Sequence, residues 1–247
     1  MKIALVSYLN TEPFLYGLKH KGTEFKLFRA IPSICRTMFK SGEVDIALVP
    51  VVTYFEEKQS IIITDYAIGC NDNVRTVVLF SNQSKEQITK IYLDNHSRTS
   101  VQLLKVIVRN YWNLNVVFET ANVADIELTE GEGVLMIGDK VFSNEERFKY
   151  VYDLGREWNE YTGLPFVFAV WLSNQNLSID IVNRLNEVLK YGIQNITKII
   201  ESYIGRSEID LASYFNDNIS YTLGNQGKEA IELFRKEIIK AERSDLK

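Results

Sequence analysis

Lys90-Ile91-Tyr92-Leu93-Asp94-Asn95-His96-Ser97-Arg98-Thr99-Ser100 reads as a short strand running directly into a helix. Lys90 to Leu93 has the character of a strand end, and from Val101 the residues Val101, Leu104, Val108 and Tyr111 recur at helical spacing. A strand that hands over to an amphipathic helix is half of a βαβ unit. The junction holds Ser97, Arg98, Thr99 and Ser100, three hydroxyls and one guanidinium in four residues. At such a point backbone N–H groups are free and the positive end of the helix dipole is exposed. That combination grips a carboxylate or phosphate. The competing reading is a cap, with Ser97 or Thr99 as the N-cap and Thr99 with Gln102 as a capping box. Capping needs one hydroxyl, and the surplus favours an anion site.

The same rhythm extends in both directions. Lys2 to Tyr8 reads as a strand, and Thr11 caps a helix with Pro13 in its first turn. Strands are expected at Phe25–Ala30, Asp45–Val51, Ile61–Tyr66, Val77–Phe80, Val116–Glu119, Gly133–Ile137, Tyr150–Tyr152 and Pro165–Leu172, with a short helix from Ser33 towards Gly42. The alternation predicts an α/β protein with mainly parallel sheets. From Ser178 the apolar spacing predicts one long helix ending near Gly205, followed by helices around Ser207–Phe215 and Lys228–Ala241. No repeat or Pro/Gly/Ser linker interrupts the chain.

Composition narrows the chemistry. With 247 residues, 46% hydrophobic and 24% charged, the chain is long enough for a large core in one domain or two lobes. A net charge of −4 and the lack of a Lys/Arg cluster argue against a nucleic-acid partner. No apolar run reaches the length of a membrane span, and the N-terminal apolar run is too short for a signal-peptide core, so a cytoplasmic location is expected. Two cysteines, Cys35 and Cys70, suggest neither a disulfide framework nor a thiolate zinc site. Two histidines leave little material for a Ser-His-Asp triad or a histidine metal centre. His20 reads as a solvated helix-end residue and His96 as a neighbour of the anion site. Gly131-Glu132-Gly133 precedes a strand, the wrong order for a dinucleotide fingerprint. The pairs Glu56-Glu57 and Glu145-Glu146 are expected to face solvent.

Five motifs then occur in one order: Ser7-Tyr8-Leu9-Asn10-Thr11-Glu12-Pro13; Val74-Arg75-Thr76-Val77 before Leu79-Phe80-Ser81; Asp94 with Ser97-Arg98-Thr99-Ser100; Ile137-Gly138-Asp139; and Asp153-Leu154-Gly155 with Trp158 and Thr162-Gly163-Leu164-Pro165-Phe166 through Trp171. Over roughly Lys2 to Trp171 the chain resembles the chorismate dehydratase family of the futalosine route to menaquinone. One departure is Thr76, where that family usually carries Ser.

The resemblance implies a two-lobed α/β fold like the type-2 periplasmic binding proteins, with a ligand cleft between lobes. Lobe one would be residues 1–81 and 173–247, and lobe two residues 82–172. It implies a lyase that dehydrates chorismate, a small dianion, to 3-[(1-carboxyvinyl)oxy]benzoate. Aromatisation drives that reaction, so no cofactor and no metal are expected. Asn10 and Thr76 would be the catalytic residues, and Tyr8, Ser97, Arg98, Thr99, Ser100 and Asp139 would bind substrate. A carboxamide is a poor base, so the substrate's own enolpyruvyl carboxylate is the expected proton acceptor. Arg98 has a second reading, pairing with Asp94 or Asp139, and Asp139 has one as a cap. A solute-binding domain and the sister 1,4-dihydroxy-6-naphthoate synthase share the implied fold. The opening motif Ser7-Tyr8-Leu9-Asn10 does not fit the latter, whose start is rich in Pro and Cys.

Overall fold

The computed structural model describes residues 1–94, 98–123, 126–205 and 209–244. The chain runs β1 (Lys2–Val6), α1 (Glu12–Lys21), β2 (Lys26–Ala30), α2 (Pro32–Lys40), β3 (Ile46–Pro50), α3 (Val51–Glu56) and β4 (Ile61–Cys70). It continues with β5 (Val77–Ser81), β6 (Lys90–Asp94), α4 (Arg98–Val106), β7 (Val117–Ala121), β8 (Glu132–Ile137), β9 (Tyr150–Asp153) and α5 (Leu154–Thr162). Then follow β10 (Phe166–Ser173), α6 (Ile179–Gln194), α7 (Ile196–Ser202), α8 (Leu211–Ser213), β11 (Ser220–Thr222) and α9 (Asn225–Ser244). Two compact units result: Met1–Gly69 with Val167–Gly224, and Cys70–Phe166 with Asn225–Lys247.

The first unit is built on a sheet of order β11-β4-β10-β3-β1-β2 among the described residues. β1 pairs parallel with β2 and β3, because the intervening helices return the chain to the same end. β10 enters antiparallel to β3, with Trp171 opposite Leu48. Ile3, Leu5, Ile46, Leu48, Phe14 and Trp171 are fully buried. The rings of Trp171 and Tyr221 both meet Phe14 edge-on, at centroid distances of 5.7 and 5.4 Å.

Helices α1 and α6 touch backbone to backbone, and glycine makes this possible. A Cβ on Gly192 would overlap the carbonyl of Pro13, and one on Gly17 would overlap the carbonyl of Val188. Backbone on this scale has no rotamer to move aside. Gly192→Ala is therefore expected to destabilise the first unit by at least the roughly 1–3 kcal/mol of an overpacked core. A urea unfolding midpoint equal to wild type would show that the two helices do not depend on this approach.

The second unit carries the sheet β7-β6-β8-β5-β9. β6 runs parallel to β7 and β8, and β5 lies antiparallel to both β8 and β9. Both sheets are thus mixed, with three parallel strands along one side (β3-β1-β2 and β7-β6-β8) and antiparallel pairings along the other, which corrects the mainly parallel expectation. Helix α9 belongs here, whereas residues 173–247 were expected to stay with lobe one. Phe234 fills a ring cluster with Trp158 and Phe166, at centroid distances of 5.7 and 4.9 Å. Glu237 accepts hydrogen bonds from Tyr161 and Asn110, each at 2.8 Å.

Three local expectations fail for identifiable reasons. The long helix from Ser178 breaks at Asn195, whose carboxamide donates to the Tyr191 carbonyl at 2.8 Å. β11 replaces expected loop, pairing Ser220 and Thr222 with β4. The hydroxyl of Thr11 does not cap α1. It turns back to the carbonyls of Val6 and Tyr8, at 2.6 and 2.8 Å. No helix among the described residues is long and apolar enough to cross a membrane.

Candidate active site

The pairing in the second unit brings scattered residues to one edge. Val77 opens β5 opposite Ile137, which closes β8, and Val78 faces Asp153, which closes β9. β6 runs beside β8 in the same direction, so Asp94 ends at this edge too. The strand order reverses at β6: α4 carries the chain outward to β7, and the chain then crosses back to β8. Ligands of open α/β sheets collect at the carboxyl ends beside such a reversal. Thr76, Arg98, Thr99, Ser100 and Asp139 all lie along this edge. The amide of Gly138 donates to the Thr76 carbonyl at 2.8 Å, which joins the β5 and β8 segments.

Helix α4 begins at Arg98, so Thr99 falls within its first turn. Thr99 and Gln102 therefore form no capping box. Ser97 and His96 lie outside the described residues. Arg98 is exposed, whereas Thr99 and Ser100 are buried, 1% and 2% accessible. The Thr99 hydroxyl has no hydrogen-bond partner among the described residues. A buried hydroxyl without a partner costs about 1–3 kcal/mol, and this one stands in the first turn of α4, near the positive end of the helix dipole. Asp94, 1% accessible, is ion-paired with Lys140. Asp139 is exposed and opens a short 3-10 turn behind Gly138, whose φ of 72° favours glycine.

Thr76 is buried, with its hydroxyl 3.4 Å from the Val74 carbonyl. Arg75 before it has φ of 66°, the left-handed region, where a side chain costs roughly 1–2 kcal/mol. Its guanidinium makes a two-pronged contact with Glu145, at 3.0 and 3.2 Å, and covers the Phe142 ring at 5.2 Å. Glu145 was expected to face solvent; it is half-buried and holds Arg75. Glu56 and Glu57, also read as solvent-facing, pair with Arg36 and Lys40.

Asp153 is the residue that reading by type passed over. Its carboxylate accepts from the amides of Val74 at 3.1 Å, Arg75 at 2.6 Å, Gly155 at 2.9 Å and Arg156 at 3.2 Å. Burial pushes its carboxyl up from the ordinary aspartate value, against the pull of those four amides. The signal in the sequence was Asp153-Leu154-Gly155 at a strand–helix junction. Two of its four partners lie nearly eighty positions away, beyond the reach of local pattern.

In the first unit the order reverses in the same way at β1, between β2 and β3. Tyr8 and Asn10 follow the carboxyl end of β1 in a short 3-10 turn, Leu9–Thr11, which the Thr11 hydroxyl pins to Val6 and Tyr8. Both are half-buried. The Asn10 carboxamide makes no hydrogen bond among the described residues. Thr53, just past the carboxyl end of β3, is fully buried with its hydroxyl also lacking a partner among the described residues. Its position after Pro50 gave no signal in the sequence.

A family model described as menaquinone biosynthesis matches residues 1–239. The chain is 25% identical to the chorismate dehydratase of Thermus thermophilus, across 94% of this chain and 93% of that protein. It is also 25% identical to the chorismate dehydratase of Campylobacter jejuni, across 93% of this chain and 89% of that one. Among solved structures, the periplasmic aliphatic sulphonate binding protein of Escherichia coli aligns with a TM-score of 0.65 at 13% identity, covering 100% of this chain and 92% of that chain. At that identity the likeness concerns the fold alone, which is that of the periplasmic binding proteins.

Proposed function

The chain belongs to the menaquinone biosynthesis family, and on that premise we propose that it is a cytoplasmic lyase that dehydrates chorismate to 3-[(1-carboxyvinyl)oxy]benzoate. The observation that carries the reading is the hydroxyl of Thr99 in the first turn of α4, buried and without a partner among the described residues. A carboxylate satisfies that hydroxyl and is favoured by the positive end of the helix dipole, and chorismate carries two carboxylates. The two curated relatives, matched over nearly their whole length, bear the activity in their names.

In the reaction the ring C–H bond at the carbon bearing the enolpyruvyl ether breaks, and its electron pair forms a ring double bond. The adjacent C–O bond breaks, and hydroxide takes up a proton to leave as water. The ring becomes aromatic, and no electron acceptor is needed. Ser97, Thr99, Ser100 and Arg98 hold one carboxylate, and Tyr8 and Asp139 orient the substrate through its oxygens. Asn10 and Thr76 hydrogen-bond the departing hydroxyl or the enolpyruvyl carboxylate. That carboxylate takes the proton; Asp139, itself a carboxylate, is the competing base, and Asp139→Asn tests it. The enzyme's work is positioning.

Incubating the protein with chorismate and following the benzoate product by chromatography tests the reading. Accumulation of the product supports it. Tight binding of chorismate without turnover would replace it with a solute-binding function, and turnover of cyclic dehypoxanthine futalosine would replace it with the sister synthase. Because the reaction is redox-neutral and driven by aromatisation, dialysis against a chelator is expected to leave the rate unchanged. Activity lost on dialysis and restored by one divalent ion would overturn that expectation.

A further inference from the structure

We propose that Asp153 is a positioning residue for the dehydration, acting through the backbone of Arg75 to set the hydroxyl of Thr76. The inference rests on the proposed role of Thr76. A carboxylate that only capped α5 would need the amides of Gly155 and Arg156. This one also takes the amides of Val74 and Arg75, the latter at 2.6 Å, its shortest contact. Gly155 makes the approach possible, since a Cβ there would stand 2.5 Å from the Cys70 sulfur and 2.6 Å from the Asp72 carbonyl. The segment from Cys70 to Arg75 is therefore pressed against the first turn of α5.

What the clasp holds is an uncommon backbone. Arg75 sits at φ of 66° with no glycine to make it easy. Asp153 fixes its amide, Glu145 fixes its guanidinium, and the Phe142 ring lies beneath the guanidinium. The next residue is Thr76, tied through its carbonyl to Gly138, and Val77 then enters the ladder opposite Ile137. With the far side fixed by the sheet, the Arg75 conformation decides where the Thr76 side chain stands. Strain held by surrounding structure at such a point is a recurring device of active sites.

The test compares Asp153→Asn, Arg75→Ala and Arg75→Gly by steady-state kinetics with chorismate, with thermal melting as the fold control. Asp153→Asn keeps the shape but places an amide NH2 against backbone donors. It is expected to lower kcat about tenfold with little change in KM, as misplacement of a reacting group does. Arg75→Ala is expected to do the same, because alanine has neither the Glu145 contact nor freedom at positive φ. Arg75→Gly, which adopts positive φ without strain, is expected to recover most of what Arg75→Ala loses. A structural role alone would not separate glycine from alanine in kcat.

Folded Asp153→Asn with wild-type kcat would overturn the proposal. So would equal losses in the two Arg75 variants with a raised KM, which would place the guanidinium on the substrate. If Asp153→Asn does not fold, the Arg75 pair decides alone. A wild-type protein inactive on chorismate overturns the functional reading and this inference together; an active wild type with unaffected variants overturns only the inference.

Discussion

Asn10→Ala is expected to lower the rate of chorismate dehydration by roughly two powers of ten or more, with the melting temperature preserved, as loss of a preorganised polar contact does. The turn that carries Asn10 is held by other groups. The Thr11 hydroxyl binds back to Val6 and Tyr8, and the Thr11 amide donates to the Tyr8 carbonyl at 3.0 Å. A turn asparagine kept for structure bonds its own backbone. This one makes no such bond among the described residues, so its removal takes little from the fold. Its proposed work lies in the transition state, where the leaving hydroxyl gathers charge. Steady-state kinetics beside a melting curve separate the cases. A fall in stability with an unchanged rate per folded molecule would reduce Asn10 to a turn residue. Loss of turnover in Asp139→Asn or His96→Ala, with binding and fold kept, would make a protein base the better account.

The sequence shows some of this arrangement and conceals the rest for physical reasons. Ile46-Ala47-Leu48-Val49 and Val77-Val78-Leu79-Phe80 are short apolar runs bounded by charge or turn residues, and they are strands as expected. Their direction is another matter, because a buried strand has the same pattern whether it runs parallel or antiparallel. β5 and β10 therefore reverse without notice. Apolar spacing runs on through Ile193, Ile196 and Ile200, while the break between α6 and α7 comes from a single side-chain contact at Asn195. Helix α9 announces an apolar face and not which sheet it will cover; Phe234 settles that by filling the gap beside Trp158. In the candidate site, the hydroxyl-rich helix start was legible because it is local. The clasp on Arg75 was not, because Asp153, Glu145 and Arg75 meet only through the tertiary fold, and arginine at positive φ leaves no mark in composition.

Thr99→Val is expected to move two measurements in opposite directions. The Thr99 hydroxyl is buried without a partner among the described residues, so replacing it with a methyl removes an unsatisfied polar group. Stability should hold or rise, by up to about 1–3 kcal/mol. If that hydroxyl receives a substrate carboxylate, the same change deletes a hydrogen bond to a charged group, worth about 1.5–3 kcal/mol, and KM for chorismate rises roughly ten- to hundredfold. Ser100→Ala, at the next position of the same turn, is expected to weaken binding in the same direction. The pairing of outcomes is what makes the valine variant decisive. A helix-capping or packing role would lower the melting temperature and leave affinity alone, and binding measured by calorimetry with the benzoate product would show it. A protein that is more stable and binds worse has a group whose partner arrives with the ligand, which is what an anion site at the start of α4 requires.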